Sequence, residues 1–223
     1  MSRLLRSSVA LGYCMTLGSP GFAERRPAGP PFPNLKITVL VYNYVHILPS
    51  ALTRAEKEAG RVLGQAGVQT EWLHCRLGDE GTLDAEACRR ALGASDLVLK
   101  ILPRPEAADN GVTRGALGFG YACPPGNRAA YATVFYQRIE EAAKQGEASE
   151  SQLLGHAVAH ELGHVLIGSN SHSERGIMRA RWVAKDLKSA ARRDLNFTAE
   201  QTEMIRAEML RRSQVLDRAA NER

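Results

Sequence analysis

The spacing of apolar and polar positions divides the chain into short strands alternating with longer helices. Lys36–Val45 (KITVLVYNYV) is dense in β-branched and aromatic residues and predicts a first, central strand, ended by Leu48-Pro49-Ser50. From Ala51 to Ala66 the residues Leu52, Ala55, Ala59, Val62, Leu63 and Ala66 recur at helical spacing, and Gly67 stops the helix. Thr53 and Glu56 stand at capping-box spacing near its start. Val68–Cys75 alternates as a second strand does. A strand, helix and strand in this order require a right-handed crossover and a parallel pair. Asp96–Leu102 predicts a third strand, ended by Pro103 and Pro105. Two shorter candidates follow, Gly115–Ala122 and Ala130–Tyr136. Three glycines in the first of them suit an edge strand or a close backbone approach to a ligand.

Helices dominate the remainder. Gln137–Gly146 reads as a short helix or turn. Ser149 and Gln152 then stand at capping-box spacing before an apolar run to Ile167, with Gly168 expected in the left-handed position that ends a helix. Trp182–Ala191 and Thr198–Arg218 predict two more helices. The second carries an apolar stripe of Met204, Ile205, Met209 and Leu210, with Thr198 and Gln201 at capping-box spacing. The expected class is α+β with an α/β-like N-terminal part: a mixed sheet of about five strands, then a small helical C-terminal part.

Composition places the chain among ordinary globular proteins, with 24% charged and 44% hydrophobic residues. A formal net charge of +5 is too mild to indicate a nucleic-acid partner. Residues 1–23 read as a secretory signal peptide, with Arg3 and Arg6 before the apolar Val9–Leu17 and small residues at Gly21 and Ala23. Residues 24–34 are a Pro-rich leader. No later stretch approaches 18 apolar residues, so no membrane span is expected. The mature protein is therefore expected to be secreted or periplasmic. Cys75 and Cys88 flank a polar, glycine-containing loop and are expected to pair, leaving Cys123 as a buried thiol.

The chemistry concentrates in His160-Glu161-Leu162-Gly163-His164. Two histidines four residues apart lie one above the other on a helix face and can chelate one zinc ion, with Glu161 beside them as candidate general base. Zinc needs at least one further ligand and an open position for water. His156, one turn earlier, lies about 6 Å further along the helix and reads as a buried or supporting residue, not a fourth ligand. Gly163 costs about 1 kcal/mol against Ala inside a helix, which predicts close packing there.

Strand, helix, further strands and then a helix bearing HELGH resembles the N-terminal half of the metzincin zinc metalloproteases. The resemblance covers residues 36–182 in element order and is motif-specific over 156–178. It implies a third His after a glycine and a methionine turn beneath the metal, here Gly168, His172 and Met178 within Gly176-Ile177-Met178. On residue type alone, Glu174 or Asp186 could complete the site instead. It also implies one catalytic domain over 35–223: a zincin-like twisted sheet with a backing helix and an active-site helix (35–168), then the Met-turn and C-terminal helices (169–223). A peptide or protein substrate would lie along an edge strand, for which Gly115, Ala116, Leu117, Gly118, Phe119 and Gly120 are the candidates. The expected activity is zinc-dependent peptide hydrolysis using one ion. A zinc-bearing binding or structural module that cleaves nothing is the rival expectation.

Two departures from the family pattern stand out. The third His usually lies six residues after the second; here Asn170 holds that place and His172 lies eight residues on. The glycine is one residue late as well. Ala180 stands where some metzincins carry a transition-state Tyr.

Overall fold

The computed structural model describes residues 35–75, 83–105, 115–122, 130–168 and 171–221. The expected signal, the leader and Cys123 lie outside them. Strand β1 (Leu35–Asn43) is central, parallel to β2 (Val68–Cys75) on one side and to β3 (Asp96–Leu102) on the other. Parallel β5 (Ala130–Phe135) follows β3, and β4 (Gly118–Ala122) pairs antiparallel with β5. The order is β2-β1-β3-β5-β4, which puts the glycine-rich strand at an edge. Alternate residues of β1, Leu35, Ile37, Val39 and Val41, point into one core shared with the helices.

Helix α1 (Pro49–Gln65) makes the crossover between β1 and β2. It starts a turn before Thr53, because Pro49 occupies the first helical position, where its fixed φ fits and its missing N–H costs nothing. Leu48-Pro49-Ser50 thus opens a helix as well as ending a strand. Gly67, at φ +85°, turns the chain into β2.

Helix α2 (Leu83–Arg89) carries no strong sequence signal in its seven residues. A disulfide joins its Cys88 to Cys75 at the end of β2, with 5.7 Å between the Cα atoms. Tyr136 opens α3 (Tyr136–Ala143) instead of closing β5. Gly115, Ala116 and Leu117 precede β4 and are not part of the strand.

Helix α4 (Glu150–Ile167) is buried at every position from Leu153 to Leu166, among the sheet, α1 and the later helices. Its approach to α1 is close: a Cβ at Gly155 would lie 2.7 Å from the Glu58 Cβ. Trp182 stays outside α5 (Ala184–Ala191), whose first turn is fixed by the Val183 N–H donating to Asp186. Thr198 and Gln201 exchange the two bonds of a capping box at the start of α6 (Ala199–Asn221). From α6 the buried Arg212 donates to the carbonyls of Val165 at 3.3 Å and Ala94 at 3.2 Å, tying the helix to α4. The whole is a mixed α+β fold with six helices among the described residues, none long and apolar enough to cross a membrane.

The packing and the cross-link each have measurable consequences. Gly155→Ala should destabilise the protein by about 1–3 kcal/mol in urea unfolding, because overpacking against α1 outweighs the gain in helix propensity. Gly64→Ala meets nothing within 4 Å and should instead be neutral or stabilising, by up to about 1 kcal/mol. Removing the Cys75–Cys88 cross-link, which spans 13 residues, should cost about 3 kcal/mol in the same measurement.

Candidate metal centre

The site is built on the second half of α4. A reciprocal cap starts the helix, with the Gln152 N–H donating to Ser149 Oγ at 3.3 Å and the Ser149 N–H donating to Gln152 Oε1 at 3.0 Å. His160, Glu161 and His164 then fall inside the protein. The helix ends differently from expectation: Gly168 has φ 122° and ψ 152°, an extended conformation open essentially to glycine alone, not the left-handed one. The Ser171 N–H donates back to the Gly168 carbonyl at 3.2 Å.

The loop carries His172 to the helix. Its Nε2 lies 3.1 Å from the His164 Nε2, which lies 3.1 Å from the His160 Nε2, and all three atoms fall within 4.8 Å of one another. Three nitrogens about 2.0–2.1 Å from a tetrahedral ion stand about 3.3 Å apart, so the cluster fits one metal ion. On the helix the other ring nitrogens are engaged: His160 Nδ1 donates to the Ile177 carbonyl at 2.7 Å, and His164 Nδ1 bonds Ser171 Oγ at 3.1 Å. Because a carbonyl can only accept, His160 Nδ1 carries the proton and its Nε2 keeps a lone pair for a metal; Ser171 Oγ can accept from His164 Nδ1 and allow the same there. Burial lowers the pKa of His160 to about 3 and of His164 to about 4, with neighbouring imidazoles adding to the effect. Burial also lowers that of His172. Neutral imidazole is the ligating form.

Glu161 is 3% exposed, and burial raises its pKa well above the usual carboxylate range. Its Oε2 has no hydrogen-bond partner among protein atoms. An orphaned carboxylate oxygen beside three unprotonated imidazoles suits a water held between acid and metal. Met178 is fully buried beneath the helix. A Cβ at Gly163 would stand 2.6 Å from its Sδ and 2.9 Å from the Phe197 ring, so that glycine lets the Met-containing loop reach the helix backbone.

The candidates for other roles separate cleanly. His156 is fully buried, its Nδ1 bonds the Gln152 carbonyl at 2.8 Å, and its Nε2 faces Glu58 at 3.6 Å, away from the cluster. Asp186 caps α5 and pairs with Arg179, and Glu174 is exposed; neither joins the three histidines.

Gly118 and Gly120 bring β4 against α4. A Cβ at Gly118 would meet Glu161 Cγ at 2.9 Å, and one at Gly120 would meet His164 Cβ at 2.7 Å. The close approach expected of these glycines is therefore to the protein's own helix. A cavity of about 220 Å³ results, lined by Gly115, Ala116, Leu117, Gly118, Phe119 and Gly120, by the three histidines and Glu161, and across from them by Arg179–Trp182. Trp182, read from the sequence as the start of a helix, is a wall residue whose Nε1–H donates to the Ile177 carbonyl at 3.0 Å.

No protein-family model matches the chain, and no curated protein matches it. The geometry of the site therefore carries the functional reading. If His172 completes the site, His172→Ala should lose metal through desalting while the wild type retains one ion per chain, read by elemental analysis. Equal retention would remove His172 from the ligand set.

Proposed function

We propose that the chain is an exported, metzincin-like zinc peptidase that hydrolyses peptide bonds with Glu161 as general base. The observation that carries this reading is the joint placement of three convergent imidazoles, an unpartnered buried carboxylate and an edge strand around one cavity. His160, His164 and His172 would hold the ion, an all-nitrogen set that suits zinc. When bound, zinc supplies Lewis-acid polarisation of the scissile carbonyl and an acidified water. Met178 closes the floor under the helix and keeps water from reaching the ligands from below.

A bound cation would hold Glu161 ionised against its burial, and the carboxylate would then take the proton from the attacking water and deliver it to the leaving amine nitrogen. Among the described residues no strand pairs with the outer edge of β4, so a substrate backbone can add there in extended form. Phe119 and Tyr121 alternate with the glycines and point away from α4, both partly exposed. Export is supported by the disulfide between Cys75 and Cys88, a bond that persists in oxidising compartments.

The decisive comparison is wild type against Glu161→Ala in zinc content and in turnover of a mixed peptide library. Both proteins should hold one zinc, and the variant should lose at least about 10²-fold in kcat/KM. A zinc-loaded wild type that cleaves nothing would sink the peptidase reading in favour of a binding or structural module.

A further inference from the structure

Trp182 sits where the Met-containing loop turns towards α5, four residues beyond Met178. One backbone oxygen, that of Ile177, accepts from both the Trp182 Nε1–H at 3.0 Å and the His160 Nδ1–H at 2.7 Å. A carbonyl has two lone pairs, and here both are used by side chains of the site. The indole also stands edge-on to the His160 ring, with centroids 5.9 Å apart and planes at 84°, and edge-on to His156 at 6.4 Å and 86°. Trp182 is half-buried and lines the cavity wall.

We propose that Trp182 is a positioning residue for the metal, acting through the Ile177 carbonyl and the His160 ring. The proposal rests on the zinc reading above. A carbonyl can only accept, so it takes the Nδ1–H of His160, which fixes the tautomer and leaves Nε2 facing His164. The indole N–H holds that carbonyl in place, and the indole packs against the His160 ring. His164 has a different arrangement, since its Nδ1 meets a rotatable hydroxyl, Ser171 Oγ. Of the two helix histidines, His160 is thus the more rigidly set, and Trp182 is part of the reason.

The test is zinc affinity of the purified full chain, by competition with a chromophoric chelator, for wild type and Trp182→Phe. Phenylalanine keeps a ring in the wall but removes the N–H. The variant should bind zinc about tenfold more weakly or worse. Cobalt(II) loaded in place of zinc should show a changed visible absorption band, because the ligand field at His160 changes. Against a peptide substrate at saturating zinc, kcat should fall while KM stays, since the wall remains. An unchanged zinc Kd with an unchanged cobalt spectrum would overturn the proposal, even if the variant melts at a lower temperature. Should Trp182→Phe fail to fold, β-(3-benzothienyl)alanine incorporated in a Trp72→Phe background replaces the indole N–H by sulfur at constant shape. The same two readouts then decide. A wild type that binds no zinc would overturn the metal reading itself, a result distinct from equal binding by wild type and variant.

Discussion

Everything in this fold turns on how closely other elements approach α4. From α1 the contact falls at Gly155, from the Met-containing loop and Phe197 at Gly163, and from β4 at Gly118 and Gly120. At each of these places an added Cβ would come within 3 Å of a neighbouring atom. Interiors are close-packed and yield little, so these glycines set the distances between layers. Two of the contacts, at Gly118 and Gly120, are with Glu161 and His164 themselves. The packing that stabilises the fold is thus the same packing that shapes the cavity.

Burying a helix all round would be unremarkable if its residues were apolar, but α4 buries three histidines and a glutamate. A buried polar group without a partner costs about 1–3 kcal/mol. His156 meets that cost in part through the Gln152 carbonyl, and His160 and His164 through Ile177 and Ser171. His160, His164, His172 and Glu161 line one cavity, whereas two other buried polar atoms without a hydrogen bond, His156 Nε2 and Arg179 Nε, face Glu58 and Asp186. An ion and water bound in the cavity would stabilise the fold by satisfying the groups that line it.

Much of this was legible in the residues, for identifiable reasons. The parallel core strands and α1 announce themselves because each has a strong period and a long apolar run. The helix caps at Ser149 and Thr198 are local hydrogen-bond chemistry, and both form. The pairing of His160 with His164 needs only the helical repeat. What was not legible depends on tertiary context. The seven residues of α2 are too few for a periodic signal, and its disulfide holds it to β2. Helical propensity placed Trp182 in α5, but its indole is committed to the Ile177 carbonyl, so the helix starts after Val183. The glycines of β4 suggested room for a ligand, whereas the atoms they make room for belong to α4 and, at Gly118, also to the β5 backbone. Gly168 was expected in the left-handed conformation and is extended instead.

The loop after α4 places His172 eight residues beyond His164, and the three histidines converge nonetheless. Gly168 leaves the helix with an extended backbone, and the Ser171 N–H donates back to its carbonyl, which brings Ser171 and His172 against His164. One of them bonds the outer nitrogen of His164 and the other offers the third Nε2. The third histidine and the partner of the second therefore come from a single loop, while the first is aimed by Ile177 a few residues on. His172 comes from the loop and the other two histidines from α4, so a bound metal ion would bridge the loop to the helix, and a formed loop would raise affinity by presetting the ligands. Coupling of this kind predicts that the backbone bonds pinning the segment, Ile177 N–H to the Asn196 carbonyl and Ser173 N–H to the Met178 carbonyl, are protected from hydrogen exchange more strongly with metal than without.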